Sequence, residues 1–261
     1  MRTDILDIHD FYRSPLGGVA RDFIASRVSA AWGKGAGLKI AGFGYANPYL
    51  EVLEQATARF ALAPGGQGVI RWSPGAANAA SLVRESDWPV PDASLDRVII
   101  VHGLEEAPAP QRLMREVWRV LKDDGRVIII ASHRRGLWSV IDTTPFAAGR
   151  PYLRRRLEGL LRDALFRPTA WDSALFFPPV KNRLIVRVAR TWERAGAMLW
   201  PGLGGVIMVE AEKDMLSPIG LVRQAGVRAV RPAIAAPQPL RHQSRHDVAD
   251  PSLASRGQRS L

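Results

Sequence analysis

Apolar positions along the chain switch repeatedly between two spacings, and each switch marks the border of an element. Residues 5–32 repeat their apolar positions at helical spacing (Val19, Phe23, Ile24, Val28), with a break at Ser14-Pro15-Leu16-Gly17-Gly18. Leu38 to Ala41 then reads as a short strand running into Gly42-Phe43-Gly44. Pro48 to Gln55 reads as a helix with Asn47 as its cap. Strands are expected over Thr57–Ala63 and Ala80–Val83, and between them only Val69, Ile70 and Trp72 have strand character. Leu95–Val101 (LDRVIIV) and Arg126–Ala131 (RVIIIA) are unbroken β-branched runs, the pattern of parallel strands buried on both faces. Gln111–Leu121 is a helix with Leu113, Met114, Val117 and Trp118 on its apolar side, closed by a turn at Lys122-Asp123-Asp124-Gly125. Further helices are expected over Leu153–Phe166 and Asn182–Leu199, and late strands over Ala170–Phe177 and Val206–Glu212. Strands alternating with helices predict an α/β fold, a doubly wound and mostly parallel seven-stranded sheet.

The boundaries that follow are an N-terminal helical segment over 1–34, the α/β domain over 35–216, a short extension over 217–230 and a tail over 231–261. The tail has four prolines and no apolar periodicity, so it is expected to be disordered. The chain has no cysteine, which excludes disulfides, thiolate metal sites and a thiol nucleophile. No metal site is expected, because the five histidines do not cluster. There is no apolar run of membrane-spanning length and no basic-then-apolar leader, so a cytoplasmic protein is the expectation.

A net charge of +11 invites a nucleic-acid partner, but its placement argues otherwise. Arg134 to Arg167 hold eight arginines against three acids, and Arg231 to Leu261 five against two, so the rest of the chain is nearly balanced. Arg183, Arg187, Arg190 and Arg194 fall on one stripe of a helix whose other stripe is apolar. That stripe suits either a solvated outer face or a peripheral contact with a membrane surface or acidic partner.

The chemistry concentrates at strand ends. In doubly wound sheets ligands bind beyond the carboxyl ends of the strands, where the strand order reverses. Gly42 and Gly44 there let the backbone approach a ligand closely. The segment PDASLDRVIIVHGLEEA followed by LMREVWRVLKDDGRVIIIA resembles the second half of class I S-adenosylmethionine-dependent methyltransferases of the small-molecule "type 11" kind. This resemblance covers residues 36–135 and implies the Rossmann-like methyltransferase fold, S-adenosyl-L-methionine as cofactor and a small-molecule substrate. It places Gly42, Phe43, Gly44 and Ala46 in the cofactor loop, with Ala46 where the family has a third glycine. Glu85, Asp87 and Trp88 come at the end of the third strand near the adenine, either acid being able to accept from its amino group. His102 comes at the end of the fourth strand beside the methyl donor. The Asn/Asp-Pro-Pro-aromatic segment of base-methylating enzymes is replaced by His102-Gly103-Leu104-Glu105, so nucleic acid is disfavoured as substrate.

Two acids of the family pattern are absent. Ile40 stands before the glycine loop, and Ala63-Pro64 end the second strand, where the family holds the ribose hydroxyls. Charge-assisted bonds of this kind contribute roughly 1.5–3 kcal/mol each. A fold retained for binding or scaffolding therefore stands as the alternative to catalysis. His102 reads equally as a general base or as a strand-end histidine bonded to the backbone. The loop after the fifth strand, with Arg134, Arg135 and Trp138, is expected on the substrate side, because arginine beside aromatics suits a planar acid, a phosphate or a nucleotide. Arg154, Arg155 and Arg156 read as an exposed helix face.

Overall fold

A computed structural model describes residues 2–215, apart from positions 74, 76, 142, 181, 182 and 201. The expected segments 217–230 and 231–261 lie outside the described residues, as do the side chains of Arg183, Arg187 and Arg190.

Two helices open the chain. The Asp4 side chain accepts from the Leu6 amide and starts α1 (Ile5–Arg13). Ser14 stops α1 and caps the next helix, its hydroxyl oxygen accepting from the Gly17 amide at 3.1 Å, so α2 (Pro15–Trp32) follows after a single residue. Seven strands then form one sheet. These are β1 (Lys39–Gly44), β2 (Ala58–Pro64), β3 (Ala80–Val83), β4 (Leu95–Val101), β5 (Leu121–Ser132), β6 (Phe166–Ala174) and β7 (Val206–Lys213). Their order is β3-β2-β1-β4-β5-β7-β6. All neighbours are parallel except that β7 runs antiparallel to both β5 and β6. The remaining helices are α3 (Asn47–Glu51), α4 (Pro110–Val120), α5 (Arg154–Asp163) and α6 (Arg183–Leu199).

Alternation along the strands builds two cores. Ile40, Ile99, Val101, Ile128, Ile130 and Met208 face α1, α2 and α3. Ala41, Phe43, Val98, Ile100, Val127, Ile129 and Val209 face α4 and α5. Both faces of the central strands are buried, which is why β4 and β5 carry unbroken apolar runs. The strand order reverses between β1 and β4, so the crevice at their carboxyl ends is where the topology places a ligand.

Several local expectations need correction. The helix expected over Pro48–Gln55 is only Asn47–Glu51. Ala46, not Asn47, holds the cap position and makes no side-chain cap bond. Arg59 donates to the Leu50 carbonyl at 3.0 Å and takes over the helix end. Val69, Ile70 and Trp72 form no strand, because Asn78 Oδ1 accepts from the amides of both Trp72 and Ala80 and holds them in a loop. The expected turn at 122–125 lies within β5: Leu95 pairs with Leu121 and Arg97 with Arg126, so these four residues bulge out. The helix expected over Leu153–Phe166 stops at Asp163, where Leu165 turns to φ 59. Strand β6 runs four residues earlier than expected and ends at Ala174. Beyond it the Glu193 carboxylate, on α6, accepts from the amides of Leu175 and Phe176.

Candidate functional site

The tight end of β1 is set by its neighbour. Gly44 has φ +83, and a Cβ there would lie 2.1 Å from the Val101 carbonyl oxygen and 2.9 Å from the Gly103 nitrogen. Only glycine fits, and β4 backbone takes the space a side chain would need. A Cβ on Gly42 would lie 2.6 Å from that of Ala46, so this glycine serves the packing of α3 on β1. Phe43 is fully buried and stacks on Trp88, with ring centroids 5.2 Å apart. Both belong to the core on the α4 face.

His102 ends β4 in a left-handed conformation, φ 51, which costs a non-glycine residue on the order of 1–3 kcal/mol. Its Nε2 lies 2.8 Å from the Tyr12 hydroxyl, and Tyr49 donates in turn to Tyr12 at 2.9 Å. Burial pushes the imidazole down to about 3, so it is neutral. Because the Tyr12 oxygen accepts from Tyr49, its own hydrogen is free for Nε2, which accepts it in the tautomer with the hydrogen on Nδ1. Burial also raises the Tyr12 phenol well above its usual value. Tyr12 stacks on Tyr45 at 5.3 Å. His102 is thus held by a buried aromatic chain.

The N-terminal segment covers this crevice. Arg2 pairs with Glu85 at the end of β3 and donates to the Gly103 carbonyl at 3.2 Å. The Thr3 amide donates to Glu106 at 2.9 Å, and the Ile5 amide to the Gln67 carbonyl at 2.9 Å. Gln67, just beyond β2, is 1% exposed and donates through Nε2 to the His102 carbonyl. Among the described residues, three buried polar atoms here have no hydrogen-bond partner: Arg2 Nη1, Gln67 Oε1 and Glu105 Oε2. The other Glu105 oxygen accepts from the Ser132 amide at 2.8 Å, and burial raises this carboxyl.

Of the sequence-derived residues, Gly44, Glu85 and His102 meet at the crevice. Asp87 is exposed and turned into a bridge with Arg84. Arg134 and Arg135 are exposed just past β5. Trp138 is fully buried among Phe11, Phe146 and Phe177 and donates to the Phe177 carbonyl at 2.7 Å. Arg2, Tyr12, Gln67 and Glu105 were missed. Their partners stand far away in sequence, and no local motif announces them. Among the described residues, no group of His, Asp and Glu could hold a metal ion, and no helix is long and apolar enough to cross a membrane.

Residues 50–129 match the model of a family described as a methyltransferase domain. No curated protein matches the chain significantly. Among solved structures, an S-adenosylmethionine-dependent methyltransferase from Thermotoga maritima superposes with a TM-score of 0.54 at 15% identity, over 78% of this chain and 94% of that one. A methyltransferase in complex with the Trm112 methyltransferase activator of Haloferax volcanii superposes with a TM-score of 0.50 at 16% identity, over 79% of this chain and 97% of that one. At such identities the likeness shows the fold.

Proposed function

We infer that this chain, which has the class I methyltransferase fold and a methyltransferase-domain segment over residues 50–129, transfers a methyl group from S-adenosylmethionine to a small-molecule or lipid-like acceptor. The observation that carries the reading is the coincidence of two places. The matched segment supplies the ends of β2, β3 and β4, and these ends surround the crevice where the sheet order reverses.

The donor set in that crevice fits such a cofactor. A buried polar atom without a partner costs roughly 1–3 kcal/mol, and Gln67 Oε1, Glu105 Oε2 and Arg2 Nη1 are three of them around one crevice. Glu85 and Gln67 offer acceptor oxygens for an amino group and hydroxyls, standing in for the acid that Ala63-Pro64 do not provide. When bound, the cofactor supplies a methyl group on a sulfonium that is already a good leaving group. What remains for the protein is positioning and exclusion of water. His102 is a positioning residue in this reading: neutral and bonded to Tyr12, it holds the end of β4. For the cofactor to enter, Arg2 must release Glu85, and residues 2–5 must leave the rim they cover.

A second reading, a fold kept for binding or scaffolding, is favoured by that same closure together with Ile40, Ala63 and Pro64 at the acid positions. Calorimetry with S-adenosylhomocysteine separates the two. Methyl transfer predicts saturable binding and a higher melting temperature with ligand. Absence of both leaves the scaffold reading.

A further inference from the structure

A cavity of about 780 Å³ opens on the α5 face of the sheet, at the top of β5, β7 and β6 and away from the crevice. Its walls include His133, Arg135, Arg154, Arg155 and Trp171. Three features set it apart from an ordinary surface groove.

First, its cations lack counter-charges: Arg135, Arg154 and Arg155 form no ion pair among the described residues, unlike Arg2, Arg27, Arg119 and Arg167 elsewhere in the domain. Among the described residues of the lining, the one acid, Asp172, is taken by Arg27 at 3.2 Å. Second, Arg154, Arg155 and Arg156 occupy the first turn of α5, which has no acidic residue and no side-chain cap. Positive charge at a helix N-terminus opposes the helix dipole, so this arrangement is adverse until an anion joins it. Third, a buried side chain faces the same space. His133 is 8% exposed, and its Nδ1 lies 3.1 Å from the Gly204 carbonyl oxygen. Nδ1 therefore carries the hydrogen. Nε2 makes no hydrogen bond among the described residues and is left for the cavity that the ring lines. Arg154 lies over the Trp171 ring, 4.6 Å from its centroid, which orients one guanidinium at the wall.

We propose that this cavity binds a phosphate or diphosphate group, with Arg135, Arg154 and Arg155 as charge partners and His133 Nε2, an acceptor in the ring whose hydrogen is on Nδ1, taking a hydrogen bond from a protonated (P–OH) oxygen of that group. That the group belongs to the methyl acceptor rests on the reading above; the binding site itself does not. The group could reach the cavity on a soluble molecule or on a lipid. Residues Met198, Leu199, Trp200 and Leu203, beside the lining residues Ala197 and Gly202, each expose half or more of their surface.

The test is titration of the full chain with inorganic pyrophosphate at low salt, read by calorimetry and by NMR of the His133 imidazole and Trp171 indole. Saturable binding is expected, weakened about tenfold or more by Arg135→Ala with Arg154→Ala. Arg162→Ala, at the other end of α5, should change it less than about twofold although it removes the same kind of charge. No saturable binding, or equal loss in Arg162→Ala, overturns the proposal. Vesicles of phosphatidic acid and of phosphatidylcholine identify the source. Selective capture by phosphatidic acid that pyrophosphate reverses assigns a lipid headgroup. Pyrophosphate binding without capture assigns a soluble molecule. S-adenosylhomocysteine is titrated into the same sample. If it fails to bind while pyrophosphate binds, the methyl-transfer reading falls and the anion site stands; the converse overturns the anion site alone.

Discussion

The two ends of the sheet's carboxyl rim are built on opposite principles. At the β1–β4 end the polar groups are buried or half-buried, and most are answered from within: Arg2 by Glu85, Thr3 by Glu106, His102 by Tyr12. Charge there is neutralised or suppressed, as in a packed interior. At the β5–β6 end the arginines stand in solvent without acids, around one buried histidine. The closed end spends its polar groups on the fold, and ligand entry there requires a segment to move. The open end keeps unspent charge and admits an anion without rearrangement. On the proposed reading, closure and openness separate the part that would hold the cofactor away from water from the part that would take an anion.

The largest expected effects break the closed end. Gly44→Val forces a Cβ into the Val101 carbonyl at a positive φ, and a cost of about 3 kcal/mol or more is expected, visible as a large fall in melting temperature before any ligand is added. A variant that melts within a few degrees of wild type would mean that β1 and β4 separate more easily than their packing implies. Trp138→Ala should cost about 3–5 kcal/mol, because it empties a fully buried site between three phenylalanines and orphans the Phe177 carbonyl. Denaturant unfolding checks this. A loss below about 1 kcal/mol with impaired acceptor use would instead make Trp138 a wall of the acceptor site.

These two residues also show where the sequence was legible. The β3 and β4 boundaries and the break at Ser14 follow from local rules of periodicity and capping, and the helix-strand alternation implies the doubly wound sheet. Gly44 was legible as a required glycine, but the reason for it was not, since the oxygen it must avoid belongs to a strand more than fifty residues away. Trp138 near Arg134 and Arg135 has the composition of a binding loop, yet Phe146 from the same connection and Phe11 and Phe177 from distant ones close over it. The Arg2–Glu85 pair spans 83 residues and has no signature. The cavity near α5 joins residues from 133 to 207, and in sequence its arginines look like any exposed helix face.

An intermediate effect is expected from the aromatic chain. Tyr12→Phe leaves His102 Nε2 buried without a donor and should cost about 1–3 kcal/mol. The His102 imidazole has a pKa of about 3 when folded and about 6.5 when free, so the unfolded chain takes up this proton first. Its stabilising contribution is complete above pH 6.5 and is lost as the pH falls from there toward 3. Burial lowers His133 as well, and that contribution stays in any comparison of His102 variants. Melting temperature followed from pH 8 to 5 should therefore fall more steeply in wild type than in His102→Asn. Parallel profiles would show that His102 gains its proton without penalty and that the closed end is wetter than its packing indicates.

The smallest effect has the opposite sign and tests the open end. Arg155 is exposed in the first turn of α5, has no ion-pair partner among the described residues, and lies between Arg154 and Arg156. Arg154 also packs on Trp171, so its removal would mix two effects. Arg155→Glu reverses one charge at the positive end of the helix and relieves repulsion between neighbours. A stabilisation of about 0.3–1 kcal/mol is expected at low ionic strength, which is roughly 1–4 °C in a domain of this size. The gain should shrink as salt rises toward 1 M, where screening shortens to about 3 Å. The same variant should bind pyrophosphate more weakly, so stability rises as affinity falls. That trade is the mark of charge retained for a ligand rather than for the fold. If Arg155→Glu destabilises the protein, the three arginines serve contacts within the fold, and the contrast between the two ends of the rim disappears.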